Sequence, residues 1–376
     1  MARNSRISTV SGPLYTGMTS PQSKSDTTLP LPAFGVQFHG LRLVLHCADE
    51  RARAHWRTLF DGFPQDEAAE TAVAETAVAE TAVAEPDAAD LCFVIRTRDA
   101  LPSLPAFPPY FQTPHHDPHA PRPNVAAYRL RDGRVLLAFH DGAQVALPLG
   151  QPAGNVIPVE AVITPAIFRR GRVEDVIMAA LAALLRPRGY FLLHAFAAVR
   201  DGAATLLVGQ SGSGKTTTGL NLLRRGWHYL ANDLTLLQQR ADGVYALPSP
   251  GGFSIQPSSL RLLPWLQPLA RKWPLNGDDG KYHMPASILI THRAPPSPIR
   301  ALYFPQVSHS PTSRLHPLKP ALALAHLMSE SIDSWDEPTL DAHVSLLQAL
   351  SQQAPAATLH LGYNTEEIAA LIVDGC

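Results

Sequence analysis

The chain has 376 residues, a formal net charge of −1 and 45% hydrophobic residues, which is enough for two domains with sizeable cores. The near-neutral charge offers no broad basic face, so neither nucleic acid nor an anionic membrane is an expected partner. The three cysteines lie far apart and form no CxxC pair, which argues against a disulfide framework and a zinc site.

The first 34 residues are rich in Ser, Thr and Pro and show no periodicity, which predicts a disordered tail. They lack the apolar segment of a secretory signal, but their Ser- and Arg-bearing, acid-poor start leaves an organelle transit peptide as an alternative. The longest apolar run, 176–185, is too short to span a bilayer. We therefore expect a soluble, cytoplasmic protein without a membrane partner.

Residues 35–165 are predicted to form a small α+β domain. Alternating apolar residues in 35–47 and the apolar run 91–96 indicate strands, and a stripe of aromatic residues and leucine indicates a helix over 49–63. Two Asp-Gly pairs predict an antiparallel meander over 125–149. This domain carries no identifiable chemistry, and a role in recognising a substrate rests on its position alone.

Two segments within this domain are predicted to be surface loops. The pentapeptide Glu-Thr-Ala-Val-Ala occurs three times over 70–84. A period of five matches neither helix nor strand, which favours a disordered acidic insert at about 65–90 over a structural repeat. A later proline-rich stretch contains His115, His116, Asp117 and His119. These side chains could bind a metal, but the prolines prevent a helix that would bring them together, so a loop is favoured.

The third predicted unit, 166–376, begins with a helix over 173–185 and a strand over 190–199. An Asp-Gly pair then predicts a two-residue turn into the next strand, which makes the two strands antiparallel. The register of that turn places His194 opposite Gly209. Ordinary P-loop enzymes reach the second strand through parallel crossovers, so a mixed sheet is expected here.

The stretch 205–217 matches G-x-x-x-x-G-K-[ST] between an apolar strand and a helix. Its glycines let successive backbone N–H groups point at one anion, and the helix adds its positive N-terminal end. Lys215 is expected to reach the phosphates and Thr216 to hold Mg²⁺. The predicted nucleotide-binding residues are Gly209, Gln210, Ser211, Gly212, Ser213, Gly214, Lys215, Thr216 and Thr217. The sequence therefore predicts a protein that binds a nucleoside triphosphate.

Four side chains are candidates for the transfer step: Asp233, Asn232, His194 and Lys215. Asp233 follows a short strand and, with Thr216, is the candidate metal ligand; its alternative is a turn or capping carboxylate. His194 is a candidate contact for phosphate or the acceptor hydroxyl, and its alternative is a structural histidine. Lys281, in a Gly/Asp-rich loop, is a candidate to close on the γ-phosphate or else a solvated lysine.

The remaining elements are a hairpin at the Asp-Gly pair 242–243, helices near 321–329 and 340–351, and a strand over 357–361. A last helix begins after Asn364, with Glu367 three positions on, which resembles a capping box.

Several of these features together resemble the HPr kinase/phosphorylase family and, more loosely, the ATP-dependent PEP carboxykinases. They are His194, the Asp-Gly turn, the loop GQSGSGKT, a short helix ending in Arg-Arg-Gly226, and Asn232-Asp233. The resemblance covers 173–260 well and the remainder weakly. It implies an α/β fold with a mixed sheet: a P-loop kinase core of the HPr kinase/PEP carboxykinase type, preceded by the small α+β domain.

The resemblance further implies a phosphotransferase that uses ATP and Mg²⁺ to phosphorylate a serine hydroxyl on a protein or peptide. It assigns phosphate binding to the loop, metal binding to Thr216, and a place near the transferred group to His194. The family has an Asp-Asp pair where this chain has Asn232-Asp233, and its first Asp is the base. Because Asn accepts no proton, either Asp233 serves or the chemistry is weakened. The chain has no E-[IV]-R-G-x-G stretch, so no phosphorylase activity is expected.

Other functions stay open at this point. Asn232 motivates a nucleotide-binding regulatory or scaffold protein with weak or no catalysis. A mechanical ATPase is disfavoured because there is no LSGGQ-like signature, and a PEP carboxykinase because the chain is short for one. The oligomeric state is open, with a homo-oligomer as one option.

Overall fold

The computed structural model describes residues 31–66, 90–113, 124–140, 142–149, 158–169, 172–273, 275, 280–308, 310–331 and 335–374. The pentapeptide repeat and the histidine cluster at 115–119 lie outside these residues. Among the helices that are described, none is both long and apolar enough to cross a membrane. The structure is mixed α/β.

The strands and helices are numbered in chain order. The strands are β1 (Ala33–Phe38), β2 (Leu41–Cys47), β3 (Gln65–Asp66), β4 (Leu91–Thr97), β5 (Phe111–Gln112), β6 (Val125–Arg129), β7 (Arg134–Phe139), β8 (Ala143–Pro148), β9 (Val159–Ile163), β10 (Tyr190–Leu193), β11 (Ala195–Arg200), β12 (Ala203–Val208), β13 (His228–Ala231), β14 (Thr235–Arg240), β15 (Gly243–Leu247), β16 (Phe253–Ile255), β17 (Tyr282–Met284), β18 (Ser297–Val307), β19 (Arg314–Leu318) and β20 (Ala356–Leu361). The helices are α1 (Glu50–Leu59), α2 (Pro165–Arg169), α3 (Val173–Leu185), α4 (Lys215–Arg224), α5 (Ser259–Leu262), α6 (Gln267–Ala270), α7 (Pro320–Ser329), α8 (Leu340–Gln353) and α9 (Thr365–Asp374).

The first sheet runs in the order β3-β1-β2-β4-β9-β8-β7-β6-β5. Its centre is parallel, since β2 pairs with β4 and β4 with β9 in that sense. The predicted meander is confirmed, because β6, β7 and β8 pair antiparallel in succession. The predicted aromatic stripe is confirmed at Trp56 and Phe60, which are fully buried against this sheet. The helix predicted over 49–63 is shorter, because α1 ends at Leu59 and Phe60 is its C-cap. The expected tail ends earlier than residue 34, because β1 already begins at Ala33.

Helix α3 is apolar on nearly all sides and is buried accordingly. The predicted helix bounds, 173–185, agree with the structure. Its residues join the same core as α1 and the first sheet, and it also packs on β10 at the start of the second sheet. The packing of α3 therefore crosses the domain boundary expected at 165, and it couples the two sheets.

Strand β12 of the second sheet leads into the predicted phosphate-binding loop. It lies between an antiparallel neighbour, β11, and a parallel neighbour, β18. The hairpin predicted from the Asp-Gly turn is present, with Arg200 opposite Ala203 and Ala195 opposite Val208. The backbone N–H of Gly209 donates to the carbonyl of His194 at 3.3 Å, as the predicted register requires. On the other side β12 pairs in parallel with β18, and β18 with β20.

The second sheet contains two breaks between consecutive strands. The strand predicted over 190–199 divides at His194: β10 pairs with β14, whereas β11 pairs with β12 and β13. The second break lies between β13 and β14 at Asp233, whose φ of 61° turns the chain. Strand β11 separates β13 from β12, so the two are not direct neighbours. Both breaks occur where the chain passes from one part of the sheet to another.

A polar contact holds the segment after α7 against β10. The Ser331 hydroxyl donates to the Leu192 carbonyl at 2.6 Å and accepts from Nε2 of His343 at 2.6 Å. The His343 ring also lies 4.7 Å from the ring of Phe191. Burial, and secondarily the charge of Arg186, lowers the pKa of His343 to about 3. His343 is therefore neutral in the folded protein.

We expect His343→Gln to reduce the loss of stability in acid. Unfolded histidine takes up a proton near its ordinary pKa of 6.5 whereas buried His343 does not, so stability is lost as pH falls from 6.5 towards 3. The slope from one such group is at most about 1.4 kcal/mol per pH unit. Urea unfolding between pH 7 and 4 measures the free energy of unfolding at each pH.

The difference in free energy of unfolding between wild type and His343→Gln should shrink as pH falls. The exposed control His228→Gln should keep the pH dependence of the wild type. A difference that is constant with pH would contradict this.

Candidate functional site

The predicted loop lies between the end of β12 and the start of α4, whose first residue is Lys215. Gly214 has a φ of 102°, and a Cβ there would come within 2.2 Å of Cδ1 of Leu361. Gly219 lets α4 approach β11, because a Cβ there would come within 2.4 Å of the Phe196 ring. Glycine at these positions therefore keeps the loop and the first turns of α4 close to the strands. The sequence reasoning identified the first glycine but not the second.

The Lys215 side chain is buried within this loop, with 4% of the residue exposed. Its ammonium donates to the carbonyl oxygen of Gly209, to that of Gln210 at 2.9 Å, and to Nε2 of His194 at 3.2 Å. Burial lowers the pKa of Lys215 to about 8, while the carboxylates of Asp233 and Glu330 act in the opposite direction. The charge is thus enclosed by acceptors on the loop side of the cavity.

Asn232, which follows β13, is hydrogen-bonded to the first turn of α4. The Thr216 hydroxyl donates to Oδ1 of Asn232 at 3.0 Å. The Asn232 amide nitrogen donates to the Gly252 carbonyl at 2.9 Å and to the Asp233 carboxylate at 3.2 Å. Asn232 is 1% exposed, so these bonds satisfy a buried amide on both sides.

Thr216 and Asp233 present oxygen donors suited to a magnesium ion. The Thr216 hydroxyl donates its hydrogen bond to Asn232, which leaves the lone pairs of the hydroxyl oxygen for a cation. Asp233 is held in a left-handed conformation by a tight turn in which the Leu234 N–H donates to the Asn232 carbonyl at 2.8 Å. Mg²⁺ is usually bound through one or two carboxylates plus substrate phosphates. Within the described part of the chain no group of three or more His, Cys, Asp or Glu side chains would hold a metal alone. The residues fit an ion that arrives with a nucleotide.

His194 makes a contact that the sequence did not reveal. Its Nδ1 lies 3.1 Å from Oε2 of Glu330, and its backbone N–H donates to the Glu330 carbonyl at 2.9 Å. Glu330 follows α7 and is 136 residues away along the chain. No motif or periodicity marks it, so sequence reasoning had no signal for this pair.

One cavity of about 1580 Å³ is lined by His194, Lys215, Thr216, Asn232 and Asp233. Small-molecule pockets typically measure about 300–1,000 Å³, so this cavity has room for a nucleotide and a second molecule. Lys281 also lines this cavity, as do residues of α1 and α3 together with Arg172: Thr58, Leu59, Arg172, Glu174, Asp175 and Met178. Helices that share the core of the first sheet therefore contribute to the lining of the site.

The structure brings most of the predicted loop residues to the cavity. Its lining includes Ser211, Gly212, Gly214, Lys215, Thr216 and Thr217. Gly209 and Gln210 instead turn their carbonyls to the Lys215 ammonium. The Thr217 hydroxyl donates to that of Ser259 at 2.9 Å, which ties the first turn of α4 to α5.

Comparisons with known proteins give a distant structural relationship. No protein-family model matches the chain, and no curated protein is a significant match. Among solved structures, the chain is similar to the Hpr(Ser) kinase/phosphatase from Coxiella burnetii, with 13% sequence identity and a TM-score of 0.26. That match covers 49% of this chain and 95% of the other. At these values the similarity carries no weight in assigning a reaction.

We expect Asn232→Asp to destabilise the protein. The change removes the two donations from the amide nitrogen and places a second carboxylate beside Asp233, at a position that is 1% exposed. The lost donors alone should lower the free energy of unfolding by about 1–3 kcal/mol. Thermal and urea unfolding without nucleotide measure this.

The matched control is Asn364→Asp, the same substitution at an exposed cap where the side chain accepts from the Glu367 N–H at 3.4 Å. Aspartate caps equally well, so this control should change stability little. Equal stability of the two variants would show that the Asn232 amide does not need its donors.

Proposed function

We propose that this protein is an ATP-dependent phosphotransferase that transfers the γ-phosphate to a serine hydroxyl on a protein or peptide. One observation carries the proposal: Lys215, Thr216, Asp233 and His194 face a single cavity that has room for two substrates. Phosphoryl transfer needs clamped phosphates, a metal that neutralises charge, and a group that orients the acceptor. The arrangement supplies a candidate for each.

The loop residues 209–217 bind the phosphates in this proposal. Backbone N–H groups of the loop and the N-terminal end of α4 attract the anion, and the Lys215 ammonium moves from the loop carbonyls to the phosphate oxygens. Thr216 and Asp233 hold Mg²⁺, which when bound neutralises charge on the transferred group. The Asn232 amide holds Thr216 and Asp233 in place from behind.

Two features support a protein or peptide as the acceptor. The motif resemblance is to kinases that phosphorylate serine on a protein partner. The lining of the cavity also includes Thr58 and Leu59, which belong to the unit before the loop domain. The chain lacks the family stretch that is linked to phosphorolysis, so we propose kinase activity without phosphorylase activity.

Asn232 favours a second candidate, a nucleotide-binding regulatory or scaffold protein with weak or no catalysis. The position at which the family has its proton-accepting aspartate holds an amide whose polar atoms are already engaged. The turnover of Asn232→Asp separates the candidates. A large gain of transfer supports a dormant scaffold, whereas no gain shows that Asn232 is not a missing base.

We expect Lys215→Ala to weaken nucleotide binding and Asp233→Ala to abolish transfer. Loss of the charge-assisted contacts from Lys215 should raise the Kd for MgATP about 10- to 100-fold. Loss of the Asp233 carboxylate should lower transfer at least about 100-fold. Calorimetric binding of MgATP and MgGTP, followed by transfer of label from γ-labelled ATP to proteins encoded beside this gene, measures both.

The controls are Lys272→Ala and Asp99→Ala, which remove the same charges at exposed positions. Both should behave as wild type. Binding that does not depend on Lys215 would contradict the proposed site. Binding without transfer to any hydroxyl acceptor would contradict the kinase and favour the regulatory candidate.

A further inference from the structure

Three side chains form a continuous chain of polar contacts behind the loop. The Glu330 carboxylate lies 3.1 Å from Nδ1 of His194, and Nε2 of the same ring lies 3.2 Å from Nζ of Lys215. Both ring nitrogens are thus occupied, one by a group that only accepts hydrogen bonds and the other by a group that only donates them.

These partners determine the tautomer of His194. A carboxylate offers no hydrogen, so Nδ1 must carry one and donate it. An ammonium offers no lone pair, so Nε2 must be bare and accept from Lys215. Without Glu330 the ring would be free to carry its hydrogen on Nε2, where it would point at the Lys215 ammonium. Glu330 therefore acts on Lys215 through the imidazole.

The backbone holds Glu330 at this place. Its carbonyl accepts from the His194 N–H at 2.9 Å, and the hydroxyl of the next residue, Ser331, donates to Leu192 at 2.6 Å. The Glu330 side chain is 9% exposed, whereas that of His194 is 31% exposed and lines the cavity. The carboxylate is fixed in the interior while the imidazole edge remains accessible to a substrate.

We propose that Glu330 is a positioning residue of this site and that His194 is the group that accepts the proton of the acceptor hydroxyl. This inference rests on the proposed phosphotransfer and assigns the base that Asn232 cannot be. In the absence of nucleotide, Lys215 occupies the lone pair of Nε2. When phosphates take over the Lys215 ammonium, that lone pair becomes available at the cavity surface.

The transfer step balances with these groups. The acceptor oxygen forms a bond to the γ-phosphorus, and the bond from that phosphorus to the β–γ bridging oxygen breaks, with its electron pair leaving on ADP. The hydroxyl proton moves to Nε2 of His194. The resulting imidazolium donates from Nδ1 to Glu330, whose negative charge stabilises it, which is the role that a carboxylate has behind histidine in other proton-transfer sites.

Nitrogen NMR of the full chain tests the positioning role without requiring any activity. The probe is ¹⁵N-histidine-labelled protein, with the His194 signals assigned by their loss in His194→Gln. Wild type should show Nδ1 protonated and Nε2 bare. Glu330→Gln, which keeps an acceptor oxygen, should retain this tautomer, and Glu330→Ala should lose it. A protonated Nε2 in neutral wild-type His194, or the wild-type pattern in Glu330→Ala, would overturn the proposal.

Turnover tests the catalytic role, with water as the acceptor in basal MgATP hydrolysis. His194→Gln and Glu330→Ala should each lower kcat by about 100-fold. The double variant should lose no more than His194→Gln alone, because Glu330 acts only through the imidazole. The Kd for MgADP should stay within about threefold of wild type, since bound phosphates replace the imidazole as the partner of Lys215.

The matched control is Glu337→Gln, which removes a carboxylate from an exposed ion pair with Arg129 and should leave turnover unchanged. Additive losses in the double variant, or wild-type kcat in His194→Gln, would overturn the base assignment. If wild type turns over no ATP with any acceptor while NMR shows the expected tautomers, the proposed function and the base role fail and the positioning of His194 by Glu330 stands.

Discussion

The buried ammonium of Lys215 is the constraint on which the site depends. A charge that is nearly excluded from water is tolerated only where acceptors surround it. The carbonyls of Gly209 and Gln210 supply two acceptors, and His194 supplies the third. The loop must therefore curl so that the carbonyls of Gly209 and Gln210 turn inward. The residue before β11 must also offer an acceptor to Lys215, and that residue is His194. In the proposed function, a phosphate that enters the loop would replace these acceptors as the partner of the Lys215 ammonium.

The breaks in the second sheet position two of the candidate site residues. His194 lies between β10 and β11, and Asp233 lies between β13 and β14. A residue within a paired strand has its backbone committed to the ladder and its side chain fixed to one face. At these breaks the backbone is free to turn, so side chains project from the edge of the sheet towards the loop after β12. The breaks that divide the sheet therefore also bring these two side chains to the candidate site.

An amide at position 232 performs a task that a carboxylate cannot. It accepts from Thr216 on one side and donates to Gly252 and Asp233 on the other. A buried aspartate at this position would have only acceptors to offer, next to a second carboxylate. The amide cannot accept a proton, but it holds Thr216 and Asp233 together. In the proposed transfer the base must therefore be another residue, on the side of the loop where His194 lies. There the Glu330 carboxylate contacts the His194 imidazole, which in turn contacts Lys215.

The sequence by itself determined the features that short stretches of chain specify. The loop, the Asp-Gly hairpin with His194 opposite Gly209, the bounds of α3 and the cap of α9 at Asn364 depend on neighbours a few residues apart, and each is present. Only the tertiary structure decided which elements meet. The strand breaks at His194 and Asp233 arise because the sheet divides, α3 joins the first core because it is apolar on almost every side, and the cavity gains a wall from α1. Glu330 reaches His194 across 136 residues, and a contact between such distant residues leaves no periodicity or spacing in a single sequence.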